Sequence, residues 1–157
     1  MPTKNALRLA ATGCLLVATT AAAGAAAAAQ PSAQWTKARP ILEAALACTS
    51  VNQFAAAEKA LGGAGWNASQ GVTPVALPVE LKTFGLPTQK VAVVRDGFEH
   101  IFRSYLPGVT VEQAAKAANL KLGKDGHQYL RVTKLGVLST DTEEGVTTLT
   151  CRVDTEG

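Results

Sequence analysis

At 157 residues, 47% of them hydrophobic and 17% charged, the chain is long enough for one packed domain and too apolar for a disordered one. The 15 Lys and Arg stand against 12 Asp and Glu, a net charge of +3 at pH 7, with no basic block anywhere. That balance excludes the electrostatic footprint of a nucleic-acid-binding domain.

The first element is an address. MPTKNALRLAATGCLLVATTAAAGAAAAAQ places Lys4 and Arg8 before an uncharged, Ala-rich stretch that ends in small residues. This is the pattern of a cleaved secretory signal peptide. Residues 1–29 are assigned to the signal and residues 30–157 to a single exported domain, which leaves 157 less 29, or 128, residues. Without Lys4 and Arg8, 13 cations face 12 anions, a net charge of +1. The Ala-rich signal reads as bacterial, so the expected destination is the periplasm or the medium, reached by a Sec-type route. Two rivals are weaker. The uncharged run Leu9 to Ala29 has 21 residues, enough to cross a bilayer, but Ala is only weakly hydrophobic. No stable membrane insertion is therefore expected after cleavage. Lipidation at Cys14 is disfavoured because Leu15, Leu16 and Val17 follow that Cys, whereas a lipidated Cys follows the apolar core of its signal.

In the mature part, Gln30 to Thr36 reads as a short leader and Pro40 as the first turn of a helix. Ile41, Leu42, Ala45, Leu46 and Cys48 then recur on one side, so Cys48 points inward. Ser50 and Gln53 form a capping box for a second helix, VNQFAAAEKAL, with Gly62 as its C-cap. GGAGWNASQGVTP is a Gly-rich loop without the Lys-Ser/Thr of a phosphate-binding loop. Trp66 in that loop either plugs the edge of the core or is offered to a partner. The Asn67 sequon carries no meaning in a bacterial chain.

VALPVELKTFG alternates Leu77, Val79 and Leu81 against Pro78, Glu80 and Lys82, a strand with one buried face, and Pro78 marks an edge or a bulge. KVAVV and FEHIFRSYL are expected to form a hairpin about a two-residue Asp96-Gly97 turn. That register pairs Arg95 with Phe98, Val93 with His100 and Val91 with Phe102. It also pairs Val94 with Glu99, Ala92 with Ile101 and Lys90 with Arg103. Val91, Val93, Phe98, His100 and Phe102 then make the core face, while Lys90, Glu99, Arg103 and Tyr105 lie nearer to water. PGVTVEQAAKAANLKLG is a helix capped by Thr110 and Gln113, with Val111, Ala114, Ala115, Ala118 and Leu122 as its stripe and Gly123 as its end. HQYLRVTKLGVL and VTTLTCRVD close the chain as a hairpin around STDTEEG. Leu149, Cys151 and Val153 share one face, so Cys151 points inward too. Cys48 and Cys151, the two Cys left in an exported chain, are expected to form a disulfide. The expected fold is a small single α+β domain, an antiparallel β-sheet packed against two or three helices.

The chemistry-bearing residues give no reaction motif. Glu99 and His100 are adjacent in sequence, so a strand turns them to opposite faces and they cannot form an acid–base dyad. His100 is expected to be a core histidine and His127, in KDGHQY, a solvated turn residue. Their spacing makes no metal site, no Gly-x-Ser-x-Gly occurs, and TEEG reads as a solvated turn. No cofactor or metal is expected and no catalytic residue is assigned. The residues assigned to partner binding are Trp66, Glu99, Ile101, Arg103 and Tyr105, because Tyr, Trp and Arg supply most of the energy at interface centres. The expected function is an exported, non-enzymatic protein-binding domain, such as an inhibitor, an immunity-type protein or an envelope accessory protein. Its partner would be another envelope or exported protein. The alternatives are a carrier of a small ligand (a lipid or peptidoglycan fragment) in a cleft between sheet and helices, and a hydrolase with scattered carboxylates.

Overall fold

A computed structural model describes residues 32–49, 54–63 and 73–155. The signal region, the Ser50–Gln53 capping box and the loop carrying Trp66 and Asn67 lie outside the described residues. Three helices, α1 (Ala33–Leu46), α2 (Phe54–Gly62) and α3 (Val111–Ala117), accompany one seven-stranded sheet. Its strands are β1 (Val75–Thr83), β2 (Leu86–Asp96), β3 (Glu99–Leu106), β4 (Lys121–Leu122), β5 (Tyr129–Val132), β6 (Val137–Glu143) and β7 (Val146–Asp154). They lie in the order β1-β2-β3-β7-β6-β5-β4, and every neighbouring pair is antiparallel. This is the α+β domain expected, with the sheet as its larger part.

α1 begins earlier than Pro40. Ser32 caps it, its hydroxyl accepting the Trp35 N–H at 3.1 Å. Pro40 stands inside the helix, where it has no N–H to donate and its ring crowds the preceding turn. Burial offsets that cost: Trp35, Ala38, Leu42 and Ala45 recur at helical spacing and are all buried. The supposed leader is therefore, from Ala33 onward, part of the helix. α2 buries Phe54, Ala57, Ala60 and Leu61, and Gly62 is its last residue rather than a cap beyond it.

β1 alternates as expected, with Leu81 and Thr83 fully inward, and its pairing with β2 slips between Ala76 and Leu81, the stretch that holds Pro78. The β2–β3 turn differs from expectation. Asp96 pairs with Glu99 and Arg95 with His100, so the turn residues are Gly97 and Phe98. Gly97 takes φ +55 at the first central position, the place a type II′ turn reserves for glycine. The Asp-Gly signal marked the right turn one residue early. Both strands move by one, so each residue keeps its face. Phe98 leaves the core face and is 63% exposed at the tip.

α3 carries the expected capping box, Thr110 accepting from the Gln113 backbone and Gln113 from the Thr110 backbone. It ends sooner than expected, because Asn119 adopts φ +53 and turns the chain out of the helix. Leu122 is thus an exposed residue of β4, not part of the helical stripe. The C-terminal region also differs. HQYLRVTKLGVL is not one strand: β5 stops at Val132, and Leu135 and Gly136 N–H groups both donate to the Thr133 hydroxyl at 3.1 Å. STDTEEG is mostly strand β6, and the turn is Glu144-Gly145, with φ +51 and +77. That conformation matches a type I′ turn.

Leu42 and Leu46 of α1, Phe54 and Leu61 of α2, and Ala114 and Ala115 of α3 pack on Val91, Val93, Phe102, Leu106, Leu149 and Cys151. Cross-strand pairing puts those strand residues on one face, so the three described helices share one side of the sheet. At that side's β1–β2 end, the Thr88 hydroxyl donates to Thr83 at 2.9 Å, and Thr83 meets the Ser104 hydroxyl at 3.2 Å, so these three buried hydroxyls satisfy one another. Cys48 and Cys151 form a disulfide, with Cα atoms 5.4 Å apart, that ties the end of α1 to β7. Such a bond fits an oxidising compartment. Among the described residues, no helix is long and apolar enough to cross a membrane.

Candidate functional site

β3 separates its side chains by parity. His100, Phe102, Ser104 and Leu106 face the helices; Glu99, Ile101, Arg103 and Tyr105 face the other side. Glu99 and His100 therefore point apart.

On the helix side, the His100 ring stacks on Phe54 with centroids 4.2 Å apart, and the Arg95 guanidinium lies 4.8 Å from the same Phe54 centroid. Arg95 is also the cross-strand partner of His100. Burial, with the Arg95 charge adding to it, holds the His100 imidazole below its ordinary pKa. His100 is half-buried rather than a full core residue. His127 is exposed, its N–H donating to the Asp125 carboxylate at 3.1 Å in a turn.

The opposite face is drier than expected: Ile101 and Tyr105 are buried, as is Ala92 on β2. A polar cluster is laid across three strands of this face. Arg103 Nη1 donates to Glu143 Oε2 at 2.5 Å, Arg103 Nε donates to the Thr150 hydroxyl at 3.2 Å, and the Tyr105 hydroxyl donates to Glu143 Oε2 at 3.2 Å. Glu143 stands on β6, two strands from β3, a span of about 10 Å. Both long side chains must therefore lie over β7, covering Thr148 and Thr150, which are buried beneath them. The side chains of Arg103 and Glu143 remain 25% and 41% exposed, so the ion pair is the part of the cluster that solvent or a partner reaches. Burial raises the pKa of the Tyr105 phenol, with the Glu143 charge adding to it, which keeps the hydroxyl protonated as a donor. Burial opposes the Arg103 charge, but Tyr105 and Glu143 outweigh it, and the guanidinium is held cationic above its ordinary range. At this exposure the ion pair contributes up to about 1 kcal/mol. Its larger effect is to fix two otherwise flexible side chains.

Glu99 lies opposite Asp96 on β2 and Asp154 on β7, so three acidic residues stand side by side across one end of this face. Among the described residues, no group of His, Cys, Asp or Glu stands in a metal-binding arrangement. Glu143 is the residue that sequence reading missed. Its Glu-Gly neighbour pair, a turn signal after a run of Thr, was the available clue to a strand. Trp66 lies outside the described residues. Compared with protein-family models, with curated proteins and with solved structures, the chain shows no match.

Proposed function

We propose that the chain is an exported, non-enzymatic protein-binding domain, of the inhibitor, immunity or envelope-accessory kind, whose partner is another envelope or exported protein. The observation that carries this reading is the Arg103–Glu143–Tyr105–Thr150 cluster on the sheet face away from the described helices. A carboxylate held by both a guanidinium and a phenol is a rigid recognition element. The side chains are already ordered, so binding costs less conformational entropy. Arg103 and Glu143 meet the partner, while Tyr105 holds Glu143 in place.

Affinity capture from the cell envelope identifies the partner, and calorimetry with Arg103→Ala and Glu143→Ala tests the face. We expect each variant to lose about 2 kcal/mol of binding, roughly thirtyfold. Folded variants that bind as tightly as the parent would remove this face from the interface.

A groove of about 300 Å³ between α1 and α2 supports a second reading, the carrier of a small ligand. Ala38, Ile41, Ala56 and Ala60 line it, and Lys37 and Lys59 stand on its walls. The interior between sheet and helices is filled by core side chains, so this outer groove replaces the expected cleft. A fatty acid is the matching probe, with an apolar chain and an anionic head. Mass spectrometry of the purified protein should show it co-purifying, and Ala56→Trp should exclude it. A protein free of lipid that also fails to bind added fatty acid would end this reading.

A further inference from the structure

Arg131 lies near the β4 edge of the sheet with no acceptor for its side chain. It stands on β5 opposite Leu138 of β6, and Leu138 stands opposite Cys151, so Arg131 faces the helix side. The Phe84 ring, from the turn between β1 and β2, lies with its centroid 5.8 Å from the guanidinium and holds it there. Among the described residues the guanidinium forms no ion pair and no hydrogen bond, and its Nε is buried. A buried donor of a charged group is among the costliest to leave unmet. Thr140, diagonal to Arg131 in the β5–β6 register and on the same face, is buried with its hydroxyl also unpartnered.

Arg131 lines a groove of about 670 Å³ beside β4, together with Asn119, Leu122 and Lys124. A volume of that order accommodates a small molecule. Leu122 pairs with Tyr129, two residues before Arg131, so Leu122, Tyr129 and Arg131 share one face. Leu122 is 52% exposed and Tyr129 is half-buried, which sets apolar surface next to the cation. Lys121 pairs with Leu130 and is turned to the opposite face, and Lys124 stands in the exposed turn beside Asp125. Arg131 is therefore the one cation held in place on this side of the groove. A single fixed guanidinium beside apolar surface matches a monoanion with an apolar body, whereas a phosphate dianion calls for a second fixed cation.

We propose that the helix-side half of this groove binds a small organic carboxylate, its two oxygens on the Arg131 Nε and Nη donors and its apolar body against Leu122 and Tyr129. A carboxylate matches the planar fork with two parallel bonds and supplies the acceptor that Nε lacks. The site is on the sheet face opposite the Arg103–Glu143 cluster and is separate from the α1–α2 groove, so it goes beyond both readings given above.

The test uses the full chain with hexanoate as the probe, hexanamide as its neutral counterpart and inorganic phosphate as a compact anion. Amide chemical shifts map the site, and their titration gives the affinity. The expected result is saturable hexanoate binding in the millimolar range, as suits so small a probe, with shifts centred on residues 119–122 and 129–131. Arg131→Gln should weaken binding about tenfold or more, through loss of a charge-assisted bidentate contact. Leu122→Ser, at an exposed position, should weaken it about threefold. Hexanamide and phosphate should not compete. No saturable hexanoate binding, or binding that a folded Arg131→Gln protein keeps in full, overturns the site. If Arg131→Gln does not fold, the Leu122→Ser titration decides, and an unchanged affinity there overturns it equally. Hexanamide or phosphate binding as tightly as hexanoate overturns the assignment to a carboxylate. Shifts centred on residues 37–60 instead would put hexanoate between α1 and α2, which discards this site and supports the carrier reading.

Discussion

His100 shows how a single residue records its neighbours. Its imidazole lies against Phe54 with Arg95 alongside, and both burial and that positive charge disfavour the protonated ring. The folded pKa is depressed, so the unfolded chain binds this proton more readily. The stabilising contribution is fully present above the unfolded value of about 6.5 and is lost as pH falls through the lower folded value. Denaturant unfolding of the parent should therefore show stability falling as pH drops below neutrality. His100→Phe keeps a ring against Phe54 and removes the titration, so its curve should be flatter over that window. His127 is common to both proteins. Identical pH slopes would mean that His100 is solvated enough to titrate normally. The sequence put this histidine on the core side of its strand; what it did not show was the Phe54 stack, because no local pattern links α2 to β3.

Elements were legible where the signal is local and misplaced where it is not. The Thr110–Gln113 capping box and the alternation of β1 depend on residues a few positions apart, and both appear in the structure. Pro40 misled because the sequence rule weighs the missing N–H but not the burial of Trp35 one face away. Thr and Asp in STDTEEG looked like loop, yet paired with β7 they are a strand, since cross-strand contacts decide β structure more than composition does. Glu143 was lost with that strand, and the candidate site lost its central acceptor. Gly136 had the same kind of hidden role. A Cβ there would lie 1.8 Å from the Arg152 carbonyl oxygen on β7, whereas one on Gly97 would meet nothing. Gly136→Ala should therefore cost about 3 kcal/mol or more, through backbone displacement at the start of β6. Gly97→Ala should cost only about 1 kcal/mol, for its left-handed backbone. Paired denaturation curves decide it, and equal losses would show that β6 and β7 part easily at this end.

At the scale of the molecule, one bond joins the helical layer to the sheet. Cys48 follows α1 directly and Cys151 lies within β7, paired on one side with Phe102 and on the other with Leu138. The bond closes a loop with a sequence separation of 103. Chain-entropy reasoning gives about 4–5 kcal/mol for a loop of that size, with less expected wherever the reduced chain keeps structure. Both sulfurs are buried in the core, so Ser would add an unsatisfied hydroxyl and Ala is the cleaner replacement. The Cys48→Ala, Cys151→Ala protein should lose a few kcal/mol. The loss should also be uneven. The sheet is held by long ladders between β2, β3, β7 and β6, whereas α1 and α2 meet it through side chains alone. Hydrogen exchange in the double variant should therefore quicken in α1 and α2 well before it does in β3 and β7. Thiol labelling of the denatured, unreduced parent should find neither Cys48 nor Cys151 free. Full labelling at both, or uniform exchange across helices and sheet, would mean that the helical layer is held by packing and not by this bond.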